Sequence, residues 1–214
     1  NYLPRIEDIT SMKTLDSEGA LRLRGSGPVN WPDRHGSFFA LAFDMPRAPR
    51  FWKTLEEEMT PMTEDALTQT FIRPLVKTLV DYKLIGSVHG DIRPTNIFWT
   101  AGSSTPPQFG ECLSAACGVG QPVMFETIER GMCQDIARGA GQHADDCYAF
   151  GATLAMMILG RNPFQGMSDM DIVNAKMEKG SFNAFIGSRS LPSSQIELLR
   201  GLLADDVAQR WSAD

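Results

Sequence analysis

The spacing of apolar residues changes along this chain. Leu21-Arg22-Leu23-Arg24 alternates apolar and basic positions, as a half-buried strand does, and Ser37 to Phe43 (Ser-Phe-Phe-Ala-Leu-Ala-Phe) reads as a buried strand. Asp44-Met45-Pro46 breaks that strand. From Thr63 to Leu84 the apolar residues Leu67, Phe71, Ile72, Leu75, Leu79 and Tyr82 recur at helical spacing, with Thr63 and Glu64 as a start signal and Pro74 as a kink or a split. Ile85-Gly86-Ser87 is a turn and Ile97-Phe98-Trp99 a short strand. Ala101 to Pro107 is loop by composition, and residues 109–128, with three glycines and little periodicity, form a long functional or mobile loop. Ala144 to Leu159 is apolar almost all round, which predicts a helix at the centre of a domain, with Asp145 and Asp146 at its N-terminal end. Amphipathic helices follow over 169–179 and 193–203.

This pattern gives an α+β fold with a small β-rich part over 1–45 and a helical part over 46–214. Residues 1–36 are otherwise irregular, rich in Gly and Pro. The 214 residues are 43% hydrophobic and 21% charged, the balance of an ordinary globular protein with material for a core. A net charge of −6 argues against a general nucleic-acid or anionic-membrane binder. The longest apolar run, over 149–160, is too short for a bilayer span, and no signal peptide opens the sequence, so a cytoplasmic location is expected. The first residue is not Met and the last four (Trp-Ser-Ala-Asp) stop in mid-element, as in an excerpt whose last helix is cut off. The four cysteines (112, 117, 133, 147) form no Cys-x-x-Cys pair and the histidines are scattered, which favours buried reduced thiols over a zinc site.

The chemistry concentrates in His89-Gly90-Asp91-Ile92-Arg93-Pro94-Thr95-Asn96. An Asp, a cation two residues on and an Asn five residues on are what phosphoryl transfer from a nucleotide requires: a carboxylate to orient a hydroxyl, a charge for the moving phosphate and an oxygen ligand for Mg²⁺. The stretch resembles the catalytic loop of protein kinases. Further pieces follow in the family's order. Asp146-Cys147-Tyr148-Ala149-Phe150-Gly151 resembles the start of its buried central helix. Leu159-Gly160-Arg161-Asn162-Pro163-Phe164 resembles the turn after it. Phe125-Glu126-Thr127-Ile128-Glu129 stands where the activation segment ends, and residues 202–210 resemble its Leu-Leu-x-x-Asp-Pro-x-x-Arg stretch. The resemblance, over residues 37–214, implies a protein kinase-like fold: a mainly helical C-terminal lobe and a reduced β-rich N-terminal lobe. It assigns Asp91 and Arg93 to catalysis and Asn96 to nucleotide and metal. It makes His89 a packing residue below the loop, and Asp146 an acceptor for the loop's amides. Glu129 and Arg210 become a buried ion pair whose disruption costs about 3–5 kcal/mol.

The sequence also departs from the family. The Asp-Phe-Gly metal site is replaced by Gln108-Phe109-Gly110 or by Glu111-Cys112-Leu113, of which Glu111 is the favoured ligand if Mg²⁺ binds at all. Arg24-Gly25-Ser26-Gly27 reads as a loop, and Lys13 lacks the surroundings of a phosphate-binding lysine. Gly90 replaces an Arg that pairs with a phosphate on the activation segment, so switching by phosphorylation of residues 111–129 (Ser114, Thr127) is not expected. The expectation is a pseudokinase, a regulatory or interaction module for another protein with weak or no nucleotide binding. The alternative is an active Ser/Thr-type protein kinase using ATP and Mg²⁺. A small-molecule phosphotransferase of the aminoglycoside-kinase type, whose loop also reads His-Gly-Asp, is a third reading. Met45, Phe51, Trp52 and Met59 are either a docking surface or locally packed.

Overall fold

The computed structural model describes residues 4–30 and 36–213; part of the irregular N-terminal stretch, 31–35, falls outside them. Among the described residues the fold is α+β, with helices gathered around one core and two small antiparallel sheets. A short helix α1 (Ile9–Thr14) precedes a ribbon of β1 (Leu23–Asn30) and β2 (Ser37–Phe43), paired from Leu23↔Phe43 to Asn30↔Ser37. Two expectations are corrected here. Arg24-Gly25-Ser26-Gly27 is not a loop but lies within β1, where the register shifts between Leu23 and Gly25; this is the kind of irregularity that a glycine in a strand accommodates. And β2 is not a buried strand. It has one ribbon partner and no sheet covering both faces, so its residues are exposed or half-buried, Phe39 at 40%. The exposed pair Arg24–Asp44 (2.6 Å) sits where the ribbon ends.

The long helix forms as its periodicity predicts, with an interruption at the proline. Thr63 caps α2 (Glu64–Leu67) by accepting from the Ala66 N–H. The chain then widens into a π turn over Thr68–Ile72 before α3 (Arg73–Leu84). Pro74 has no N–H to close the preceding α turn, and a π turn absorbs the misfit without breaking the axis. The second sheet pairs β3 (Ile97–Phe98) with β4 (Gln108–Phe109), and is extended by single bridges from Ala20 beside Phe109 and from Arg50 beside Phe98. Trp52 is 2% exposed, and the Phe51 ring lies 5.4 Å from that of Trp99 and 6.0 Å from that of Phe71, so these aromatics are locally packed; of the four residues Met45, Phe51, Trp52 and Met59, Met45 alone is fully open, at 87%.

After a short α4 (Ile128–Gly131), α5 (His143–Leu159) runs through the centre. Every residue from Asp146 to Met157 is buried, as its all-round apolar pattern requires. Phe150 is stacked 6.3 Å from Phe71, and Gly151 lets the next helices approach: a Cβ there would lie 2.7 Å from Leu202 Cβ. α6 (Asp169–Lys179), α7 (Ser181–Ile186) and α8 (Ser193–Leu202) complete the fold. Of these only α7 is absent from the sequence reading; six residues between glycines give too little periodicity to register. Ile9, Met12, Leu15, Ala20 and Leu23 belong to the same apolar cluster as the helical part. Among the described residues no helix is long and apolar enough to cross a membrane.

Residues 109–128 are pinned down along most of their length. Leu113, Val123, Met124 and Phe125 are in the core. Lys176 of α6, 1% exposed, donates to the carbonyls of Val123, Met124 and Glu126 at 2.8–3.0 Å, and its ammonium lies 5.1 Å from the centre of the Tyr148 ring. Burial pushes the Lys176 pKa down to about 7, while three carbonyl acceptors and an aromatic face favour the ammonium form.

Candidate active site

The loop after α3 owes its shape to three groups, an exposed turn glycine and two buried side chains. Gly86, at φ +68°, turns the chain out of the helix. Asp146, at the start of α5, then accepts the N–H groups of His89 and Gly90, both at 2.7 Å. This is the role the resemblance implies for it, and of the two acids at the head of α5 Asp145 takes the capping role, accepting from the Gln142 N–H. Burial pushes the Asp146 pKa up to about 7 and the two amides pull it down. The third group is His89, fully buried, edge-on to Tyr82 (5.4 Å) and beside Phe109 (5.2 Å). Its Nδ1 accepts from the Asp91 N–H, so its Nε2 carries the proton and donates to the Gly110 carbonyl at 3.2 Å. Burial holds its pKa down at about 3, which makes it a neutral packing group.

Asp91, Arg93 and Asn96 are brought together. The Arg93 guanidinium bonds one Asp91 carboxylate oxygen, and Asn96 Nδ2 donates to the other at 2.9 Å and to the Asp91 carbonyl at 2.9 Å. Pro94 opens the 3₁₀ turn Pro94–Asn96 that swings Asn96 back under the loop. Asp91 is 25% exposed, and burial raises its pKa to about 6 against the opposing charge of Arg93. Because the folded value exceeds the unfolded one, the folded chain binds the proton more tightly. Stability linked to this group is full below about pH 4 and is lost as pH rises toward 6. Arg93→Ala removes the main charge favouring ionisation, so the Asp91 carboxyl resonance, followed by NMR, is expected to titrate above 6; an unchanged or lower midpoint would contradict the pairing.

The metal side of the site is arranged differently from its expected form. Gly110 lies against Asn96: its N–H donates to the Asn96 carbonyl at 2.7 Å, and a Cβ at Gly110 would come within 1.9 Å of Asn96 Oδ1. Glu111 therefore follows β4 directly beside Asn96, and its carbonyl accepts from Asn96 Nδ2 at 3.1 Å. One oxygen of the Glu111 carboxylate, Oε2, accepts the N–H groups of Leu113 and Ser114 at 3.0 Å each, while its charge still acts on Asp91 and raises the Asp91 pKa. Gln108 is buried in β4, donating to the Glu18 and Ala20 carbonyls and accepting from the Arg47 N–H. Neither candidate aims a free carboxylate at Asn96, and among the described residues no group of three or more His, Cys, Asp or Glu has metal-binding geometry. The donor set does not fit a resident Mg²⁺ in this arrangement. Cys112, Cys117 and Cys147 are buried free thiols as expected, but Cys133 is exposed.

The expected Glu129–Arg210 ion pair is not formed. Glu129 is exposed. Arg210, 9% exposed, donates to the carbonyls of Ala204, Ala144 and Asp205 and lies 3.8 Å from Asp145. The buried acid of this region is Glu126, which meets Arg130 at 2.6 Å and Arg138 at 3.4 Å. Thr127 fixes the phase: it caps α4 by accepting from the Arg130 N–H, which leaves Glu126 before the helix, facing inward, and Glu129 on its outer side. Thr127 is itself 5% exposed, whereas Ser114 is open. No protein-family model matches the chain, and no curated protein is significantly similar to it.

Proposed function

We propose that this chain is a kinase-like domain working as a regulatory or interaction module for another protein, without resident phosphotransfer chemistry. The observation that carries this reading is the pairing of an ordered Asp91–Arg93–Asn96 loop with a Glu111 carboxylate committed to backbone amides. The loop's carboxylate is met by Arg93 and by Asn96, so its polar groups satisfy one another. The negative ligand that would neutralise a nucleotide's phosphates through Mg²⁺ is engaged elsewhere. The support for kinase likeness is the loop seated on Asp146 at the head of a buried central helix; a fold alone does not fix an activity.

The second reading, an ATP-dependent protein kinase, is favoured by one observation. Asp91, pushed up to about 6, is close to the working range of a general base near neutral pH. It requires Glu111 to leave the Leu113 and Ser114 amides and turn toward Asn96. A thermal-shift titration with ATP and Mg²⁺ separates the two. The regulatory reading expects a rise of about 1 °C or less at millimolar nucleotide, since a ligand at its own Kd adds only about 0.4 kcal/mol. Transfer of phosphate to a protein hydroxyl that vanishes in Asp91→Ala would overturn it.

A further inference from the structure

Gly90 has φ +72°, and a Cβ at this position would lie 2.7 Å from Cys117 Sγ, 2.8 Å from its Cβ and 2.9 Å from its Cα. One of these contacts is backbone, so the loop has no room for any side chain at residue 90. A cation nevertheless reaches this part of the fold from elsewhere in the chain. Arg5 is 5% exposed, and its Nη1 donates both to the His89 carbonyl (3.0 Å) and to the Cys112 carbonyl (3.1 Å). Its Nε and Nη2 grip Asp8 at 2.7 and 2.6 Å, and its backbone N–H donates to the Leu113 carbonyl at 2.9 Å. The guanidinium thus spans three pieces of chain: the turn before α1, the 89–96 loop, and the segment leaving β4. The two loops meet directly through the Gly118 N–H, which donates to the Gly90 carbonyl at 2.9 Å.

We infer that Arg5 is a positioning residue that locks the 89–96 loop to residues 111–118, so that the seat of residues 4–8, rather than a phosphate on the segment, sets the conformation of the candidate site. The inference rests on the kinase-like reading for its meaning but not for its geometry. A planar guanidinium fork suits this bridging role, because it presents several donors in fixed directions. Two carbonyls from separate chain segments share one nitrogen, while the counter-ion Asp8 orients the rest. Asp8 is the acid that pairs with this arginine, which makes the clamp self-contained within one turn of chain. A partner that draws residues 4–8 off the surface removes all of these bonds at once and frees Glu111, Cys112 and Leu113 to rearrange next to Asn96.

Amide hydrogen exchange tests this without any nucleotide, so its outcome is independent of whether the protein binds ATP. In Arg5→Ala the amides of Leu113, Ser114 and Gly118, with those of His89 and Gly90, are expected to exchange about tenfold faster or more, since charge-assisted bonds are lost, while α5 to α8 keep wild-type protection. Arg5→Lys keeps the charge but not the fork and should fall between; it also serves if Arg5→Ala does not fold. Asp8→Asn, which releases the counter-ion, should loosen the same amides to a smaller degree. Met12→Ala, a buried residue of α1 outside the clamp, is the control and should lower stability without selecting these loops. Unchanged exchange at 111–118 in both Arg5 variants, or the same pattern in Met12→Ala, overturns the inference. Nucleotide titration of Arg5→Lys then reads the consequence separately: altered affinity links the clamp to the site, whereas selective exchange without any nucleotide binding leaves the clamp intact and fails only the nucleotide-dependent reading.

Discussion

Glu126→Ala is expected to destabilise the chain by about 3–5 kcal/mol, the cost of leaving partners of a buried ion pair uncompensated. Its carboxylate, 3% exposed, stands between Arg130 and Arg138. Those two arginines are also the ties that hold the surrounding turns: Arg130 donates to the Arg138 carbonyl at 2.6 Å, and Arg138 to the Gly118 and Gln121 carbonyls at 2.7 Å. Removing the acid leaves Arg138 in low dielectric with only carbonyls for company, and Arg130 with a carbonyl contact and the Asp145 carboxylate 3.7 Å away. Burial raises the Glu126 pKa against the pull of both arginines, so the net value of the cluster is less than its Coulomb attraction, and the penalty lies in breaking it rather than in its presence. Glu129→Ala, three residues on and exposed, is expected to change stability by about 0.5 kcal/mol or less. Urea unfolding of the two variants side by side decides the matter. Equal effects, or a larger one at Glu129, would restore the pairing with Arg210 that the sequence suggested.

The second large effect is at Asp146. Asp146→Ala orphans the buried N–H of His89 and the half-buried N–H of Gly90, and at up to about 1–3 kcal/mol for each unsatisfied donor the loss is at most about 2–6 kcal/mol. Some of that is returned, because the carboxylate is itself held in a site that pushes its pKa up to about 7. Asp146→Asn is the sharper probe. It keeps the shape, but an amide has one acceptor oxygen for two donors, so one N–H is left facing an NH₂ group. Chemical denaturation gives the stability, and the amide resonances of His89, Gly90 and Asp91 report the loop. A loss below about 1 kcal/mol with unshifted loop amides would mean that α5 does not hold the loop.

The two residues differ in how visible they were beforehand. Asp146 opens a continuous apolar run, and an acid in that position has few roles besides capping or anchoring a neighbouring turn; its adjacency to the 89–96 loop came from the resemblance. Glu126 and Glu129 both sit in one short stretch of mixed polarity. Which one turns inward depends on the capping bond of Thr127, and a four-residue helix carries too little periodicity to show it. In the same way the sequence located Glu111 as a neighbour of Asn96 but could not show where its carboxylate points, because that is settled by two amides only two and three residues ahead.

Taken alone, the sequence determined the α+β class, the long helix with its proline interruption, the buried central helix and the grouping of Asp91, Arg93 and Asn96. Each depends on spacing along the chain, and helical period, turn residues and short-range motifs are local quantities. The tertiary structure decided the rest: the half-exposed ribbon, the partners of Glu126 and Arg210, the commitment of Glu111, and the reach of Arg5 to carbonyls 84 and 107 residues away. Those are choices among several acceptors of equal chemistry, and only the folded arrangement fixes which acceptor lies within about 3 Å of each donor.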